Sequence, residues 1–96
     1  MAAFTVEGPY KVITSGNTTD NTVTIVNPGS SLRQKVTVTP IAGPIAFAMN
    51  ETAALGTTGG LAAAASLTFM MRPYSDVLHF DQTLAGDSFR IYVEDL

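Results

Sequence analysis

The chain is 96 residues long, the size of one domain, with 46% apolar but only 14% charged residues. Its net charge is −3, and its five basic residues, Lys11, Arg33, Lys35, Arg72 and Arg90, are scattered, which excludes the concentrated basic footprint that nucleic acid or an anionic membrane requires. Without cysteine it has no disulfide framework and no thiolate metal site, and no apolar run approaches the roughly 18 residues of a membrane-spanning helix.

The opening "MAAFTVEGPY" has neither a basic stretch nor a long apolar core and does not read as a signal peptide. Residues 4–14, "FTVEGPYKVIT", are rich in β-branched and aromatic side chains and predict a first edge strand. Gly8-Pro9 puts a bend or bulge in it, because proline cannot donate a ladder hydrogen bond. "SGNTTDN" is a turn by composition. "TVTIV", residues 22–26, sets Val23 and Ile25 on one face, and "NPGSS" turns the chain again. In "RQKVTVTP", residues 33–40, Val36 and Val38 point inward and Lys35, Thr37 and Thr39 outward. "PIAFAM", residues 44–49, has Ile45, Phe47 and Met49 on one face and Ala46 and Ala48 on the other.

"NETAALG" then suggests one helical turn, with Asn50 as cap and Gly56 as terminator. "TTGG" is a loop, and "LAAAAS" is too short to hold a helix alone. Strands resume at residues 66–72, "SLTFMMR", with Leu67, Phe69 and Met71 inward, followed by the turn "PYSD". "VLHF", residues 77–80, and "DSFRIYVE", residues 87–94, are the last strands. The final strand directs Phe89, Ile91 and Val93 inward and Arg90, Tyr92 and Glu94 outward. The fold class is therefore all-β: a single domain over residues 1–96, a small antiparallel sandwich or barrel of about six to seven strands with one long loop. The buried set should include Val36, Val38, Phe47, Phe69, Phe80, Phe89, Ile91 and Val93.

No catalytic constellation stands out. "GTTGGL" lacks the lysine of a phosphate loop, and the dinucleotide glycine pattern is absent. His79 and Asp81 share a strand face and could offer a metal two ligands, with Asp76 more distant; a core-forming strand carrying a lone outward histidine is the simpler reading. Nothing resembles a nucleophile elbow. The expectation is no enzymatic activity, no cofactor and no metal.

Two segments are candidates for binding a partner. The connection at residues 50–66 is longer than the roughly 12–15 residues beyond which loops are usually functional or mobile. It carries Leu55 and Leu61 among small residues, with Thr57 and Thr58 between them. The N-terminal strand, with Phe4 and Val6, could pair edge-on with a neighbouring sheet. A small core, sparse charge and alanine-rich segments further predict self-association.

The order "TVTIVN", "KVTVTP", "TTGGLAAAASLTFMM", "DVLHF" and "LAGDSFRIYVEDL" resembles the small β-sandwich virion proteins of tailed bacteriophages, which decorate capsids or sit on tails. The resemblance covers roughly residues 22–96. It implies a structural protein, a capsid decoration or cement protein, made in the host cytoplasm and carried on the virion. Its partners would be the major capsid or tail protein lattice and further copies of itself, a trimer by analogy. The alternative is a small carbohydrate- or receptor-binding sandwich of a phage tail or fibre. Tyr10, Tyr74 and Tyr92 would be the free aromatics for it, and there is no tryptophan.

Overall fold

The computed structural model describes residues 2–26, 33–55 and 60–95, the side chain of Asp95 aside. Its strands are β1 (Ala2–Val6), β2 (Tyr10–Thr14), β3 (Asn21–Ile25), β4 (Gln34–Pro40), β5 (Ile45–Met49), β6 (Leu67–Met71), β7 (Val77–Gln82) and β8 (Ser88–Asp95). They form two four-stranded sheets, the first in the order β1-β3-β7-β5 and the second in the order β2-β8-β4-β6. No strand is shared between the sheets, so the all-β fold is a sandwich and not a closed barrel. Its radius of gyration is 12.2 Å, close to the roughly 12.5 Å of a well-packed chain of this length.

The described residues form eight strands where about six to seven were expected, and the sandwich is not wholly antiparallel. Both differences come from "FTVEGPYKVIT". It is not one bent strand but two, β1 at the edge of the first sheet and β2 at the edge of the second. At Gly8-Pro9 the chain crosses between sheets, and the Pro9 carbonyl accepts the Val93 amide at 2.8 Å. Having crossed over along β2 and come back along β3, the chain re-enters the first sheet in its original direction. Hence β1 pairs with β3 in parallel, Phe4 opposite Val23 and Val6 opposite Ile25.

The alternation read from the sequence sets the core. Val36, Val38, Phe47, Phe80, Phe89, Ile91 and Val93 are buried, together with Val6, Ile13, Val23, Ile25, Ile45, Met71 and Leu78. Phe69 is half-buried against them, and Leu67 is exposed, because β6 is an edge strand with neighbours on one side. Rings from both sheets meet in the middle. Phe80 of the first sheet and Phe89 of the second are edge to face at 4.8 Å, and Phe47 closes on Phe89 at 5.0 Å.

Residues 50–54 are not helical, Leu55 is, and Gly56, the expected terminator, lies outside the described residues. Asn50 has a left-handed φ of 58°, whereas a helix cap is extended. Its side-chain oxygen accepts the Val77 amide at 2.8 Å, and its backbone amide donates to the Val77 carbonyl at 2.7 Å. Asn50 thus ends β5 instead of starting a helix. The alanine run is a tight turn, closed by the Ala65 amide donating to the Ala62 carbonyl at 3.1 Å. Ala64 sits there at a φ of 67°.

Two stability measurements test this packing. Phe89→Ala should cost about 3–5 kcal/mol, a large share of the roughly 5–14 kcal/mol available to a chain this size. Ala64→Gly should raise the melting temperature by a few degrees, since an L-residue pays about 1–2 kcal/mol for a left-handed backbone and glycine does not.

Candidate interaction surface

Asp76 and Asp81, the aspartates that could have joined His79 at a metal, are engaged in holding turns. His79 lies on the outer face of β7 with Ala48 and Thr22 as lateral neighbours, neither of which is acidic. Asp81, on the same face, is only 8% exposed, and its Oδ1 accepts the Asp20 amide at 3.1 Å. Asp76 belongs to the β6–β7 turn: Oδ2 accepts the Arg72 amide at 2.8 Å, and Oδ1 accepts from Asn50 Nδ2 at 3.2 Å. Among the described residues no three of His, Asp or Glu gather in a metal-binding group. At one end of the sandwich Ser15 Oγ donates to Asn21 Oδ1 at 2.6 Å. Asn21 Nδ2 donates to the Asn17 carbonyl and Gln82 Nε2 to that of Ser15. This buried network fixes the β2–β3 turn.

The sequence-derived interaction residues fall on opposite edges of the first sheet. Phe4 and Val6 are on β1, at one edge. Val6 is buried, and Phe4 is half-buried, 6.0 Å from Phe80. Beyond β5, at the other edge, Leu61 exchanges both main-chain hydrogen bonds with Ile45, at 2.8 and 3.1 Å, and packs on the core. Leu55 packs on the outer-face cluster of Ala46, Ala48 and Ala53. Both leucines therefore serve the fold. Gly60 explains part of the glycine content of the connection, for a Cβ there would lie 2.6 Å from Pro44 Cβ. Thr57 and Thr58 lie outside the described residues. The two segments do not form one site, because three strand spacings, about 14 Å, separate β1 from β5.

What stays open is the side of the molecule where β1 and β2, each an edge strand, face one another. An open groove of about 280 Å³ runs between them, lined by Thr5, Val6, Glu7, Gly8, Tyr10 and Lys11. Lys11 Nζ reaches across it to the Thr5 carbonyl at 2.9 Å. Tyr10 continues this region onto the outer face of the second sheet, where it lies opposite Tyr92 with ring centroids 4.9 Å apart and planes tilted by 44°. Tyr10 is 47% exposed, Val12 43%, Tyr92 40% and Met70 49%, so this face keeps apolar surface in water. Outward parity of Tyr92 was readable from the alternation of "FRIYVE", whereas in "YKVIT" Tyr10 shares its face with Val12 opposite Lys11 and its side was not fixed by the pattern. The adjacency of the two tyrosines was not readable, because it depends on β2 pairing with β8 from the other end of the chain.

No protein-family model matches the chain, and no curated protein or solved structure shows significant similarity to it.

The Asp76 carboxyl titrates below its ordinary value near 3.8, chiefly because the Arg72 amide donates to its charged form. A depressed folded-state pKa contributes stability that is complete above the ordinary value and drains away as pH falls through the folded one. Thermal melts of the parent and Asp76→Asn should therefore differ most near neutral pH and converge in strong acid.

Proposed function

We propose that this chain is a non-enzymatic structural protein of a tailed-phage virion, a capsid decoration or cement protein that binds a preformed protein lattice and associates with further copies of itself. The virion and the lattice come from the resemblance in strand order and terminal motif; a trimer is the copy number that resemblance implies.

The observation that carries the lattice-binding part is the state of β1. Its Val6 carbonyl accepts the Val26 amide at 2.8 Å, so Val6, Phe4 and Ala2 turn their main-chain groups toward β3. Alternation then turns the amide and carbonyl of Ala3 and Thr5 away from the sheet. Thr5 has the Lys11 ammonium on its carbonyl. Ala3 has no such cover among the described residues. Edge strands that must stay alone carry charge, proline or a bulge, and "AAFTV" carries none of these. An uncharged edge can accept a strand of a neighbouring subunit, with main-chain hydrogen bonds supplying affinity. Leu55 and Leu61 are taken up by the fold, which moves the weight of the contact from the long connection to β1.

Such a contact buries little charge and should persist as salt is raised. The test is occupancy of particles assembled with the parent chain or with Ala3→Pro, which removes the outward N–H and leaves the β3 hydrogen bonds in place. The parent should co-purify with particles in high salt, and the variant should bind at least about tenfold more weakly at unchanged fold. Full occupancy by the variant would exclude β1 as the contact. Failure of the parent to co-purify with particles would end the virion reading.

A further inference from the structure

We infer that the outer face of the second sheet is a docking surface for a second copy of this chain, in a two-fold, face-to-face arrangement centred on Tyr92. This rests on the self-association part of the proposed function and not on the lattice, and it puts a two-fold pair in place of the trimer that the resemblance implies.

The face is built from alternate residues of four strands. One row crosses it through Tyr10, Tyr92, Thr37 and Thr68. The row on one side holds Arg90 between Val12 and Thr39, and the row on the other pairs Glu94 with Lys35. Arg90 makes no ion pair among the described residues and has no acidic lateral neighbour on its row. The order Arg90, Tyr92, Glu94 along β8 therefore reads as its own electrostatic complement. When the strand is reversed over itself about Tyr92, Arg90 of each copy meets Glu94 of the other, and the tyrosines meet at the centre. The two-fold axis that lies in the face, perpendicular to β8 and through Tyr92, does this twice, once on each side. A parallel or rotated stacking would set like charges together or leave them unpaired.

The apolar content suits such a contact. Tyr10, Val12 and Tyr92 are each at least 40% exposed. Tyrosines supply large area with few rotatable bonds, which lowers the ordering cost of association. Four strands at about 4.8 Å spacing and some 20 Å of length give roughly 400 Å² per copy, which is the range of weak, concentration-dependent pairing.

The experiment is sedimentation equilibrium of the purified chain, from about 10 µM to about 1 mM, for the parent, Arg90→Glu, Glu94→Arg and the double variant. The parent should reach a monomer–dimer equilibrium that weakens with salt. Each single reversal should weaken the dimer roughly tenfold or more, because two attractive pairs become two repulsive ones. The double variant should recover most of the parental association, since the pairs re-form with exchanged signs. Far-UV circular dichroism should be the same for all four, the positions being exposed. A parent that stays monomeric, or that forms a trimer without passing through a dimer, overturns the inference. So does a dimer indifferent to both reversals, which would use another face. A chain that is monomeric alone but loses particle binding in Arg90→Glu would assign the face to the lattice and overturn self-docking. Particle binding by the parent is scored separately, so failure of the dimer leaves the lattice reading standing.

Discussion

The contact between Phe80 and Phe89 is the constraint on which the rest of the structure depends. It is the place where the two sheets touch through large rings, edge to face at 4.8 Å, with Phe47 and Phe4 closing around it. Aromatic pairs at this separation contribute beyond the area they bury. In a chain of 96 residues the core is one layer deep, and the roughly 10 Å between sheets has to be filled by such side chains. The contact therefore fixes which residues of β5, β7 and β8 point inward. A slip of one residue in any of them would turn a ring into water. The same parity dictates what lies outside: with Phe80 inward, His79 and Asp81 must face outward, and with Phe89 inward so must Arg90, Tyr92 and Glu94.

The two outer faces meet that outcome in different ways. On the first sheet the outward residues of β5 are Ala46 and Ala48, small enough for the chain's own connection to lie over them through Ala53 and Leu55. That connection comes down tightly, with Gly60 against Pro44 and Leu61 bonded to Ile45. Gly60 of "GTTGGLAAAAS" thus serves close approach, one physical reason a loop over a sheet carries small residues, while Ala62, Ala63 and Ala64 form an exposed turn. The second sheet has no such cover among the described residues. Its outward positions carry tyrosine, valine and methionine beside hydroxyl pairs such as Thr39–Ser66 at 2.8 Å.

Much of the architecture was legible in the sequence because a period of two is a local signal. The inward sets of β4, β5, β7 and β8 follow from alternation alone, and the turns follow from proline, glycine and asparagine. What was not legible is what depends on partners distant in sequence. Gly8-Pro9 announces an interruption, but nothing local distinguishes a bulge within one sheet from a step between two. The parallel pairing of β1 and β3 is a consequence of that step. Asn50 has the chemistry of a helix cap and also of a left-handed strand terminator; the choice was made by Val77 and Asp76, which the sequence does not place beside it. The candidate site was legible to the same degree. Leu55 and Leu61 stand out as apolar residues in a small-residue loop, yet the pattern cannot say whether they meet another molecule or their own sheet. The meeting of Tyr10 with Tyr92 required knowing that β2 pairs with β8.

The unequal treatment of the edges bears on where a partner can act. A small sheet protein must deal with every edge, since unpaired main-chain groups invite another strand. At β5 the chain does so with its own residue, Leu61, which takes both hydrogen bonds Ile45 offers. At β1 it does so with the end of a lysine side chain on one carbonyl. The backbone bridge excludes a competing strand at that position, whereas a solvated ammonium on a flexible stem can be displaced at little cost. The longest connection in the molecule is spent on the β5 side. The uncharged edge, the groove behind it and the tyrosine-bearing face are left contiguous on the other. A chain with 14% charged residues has few other means of keeping that side to itself. The free energy it does not recover by covering β1 internally remains available to whatever pairs with it.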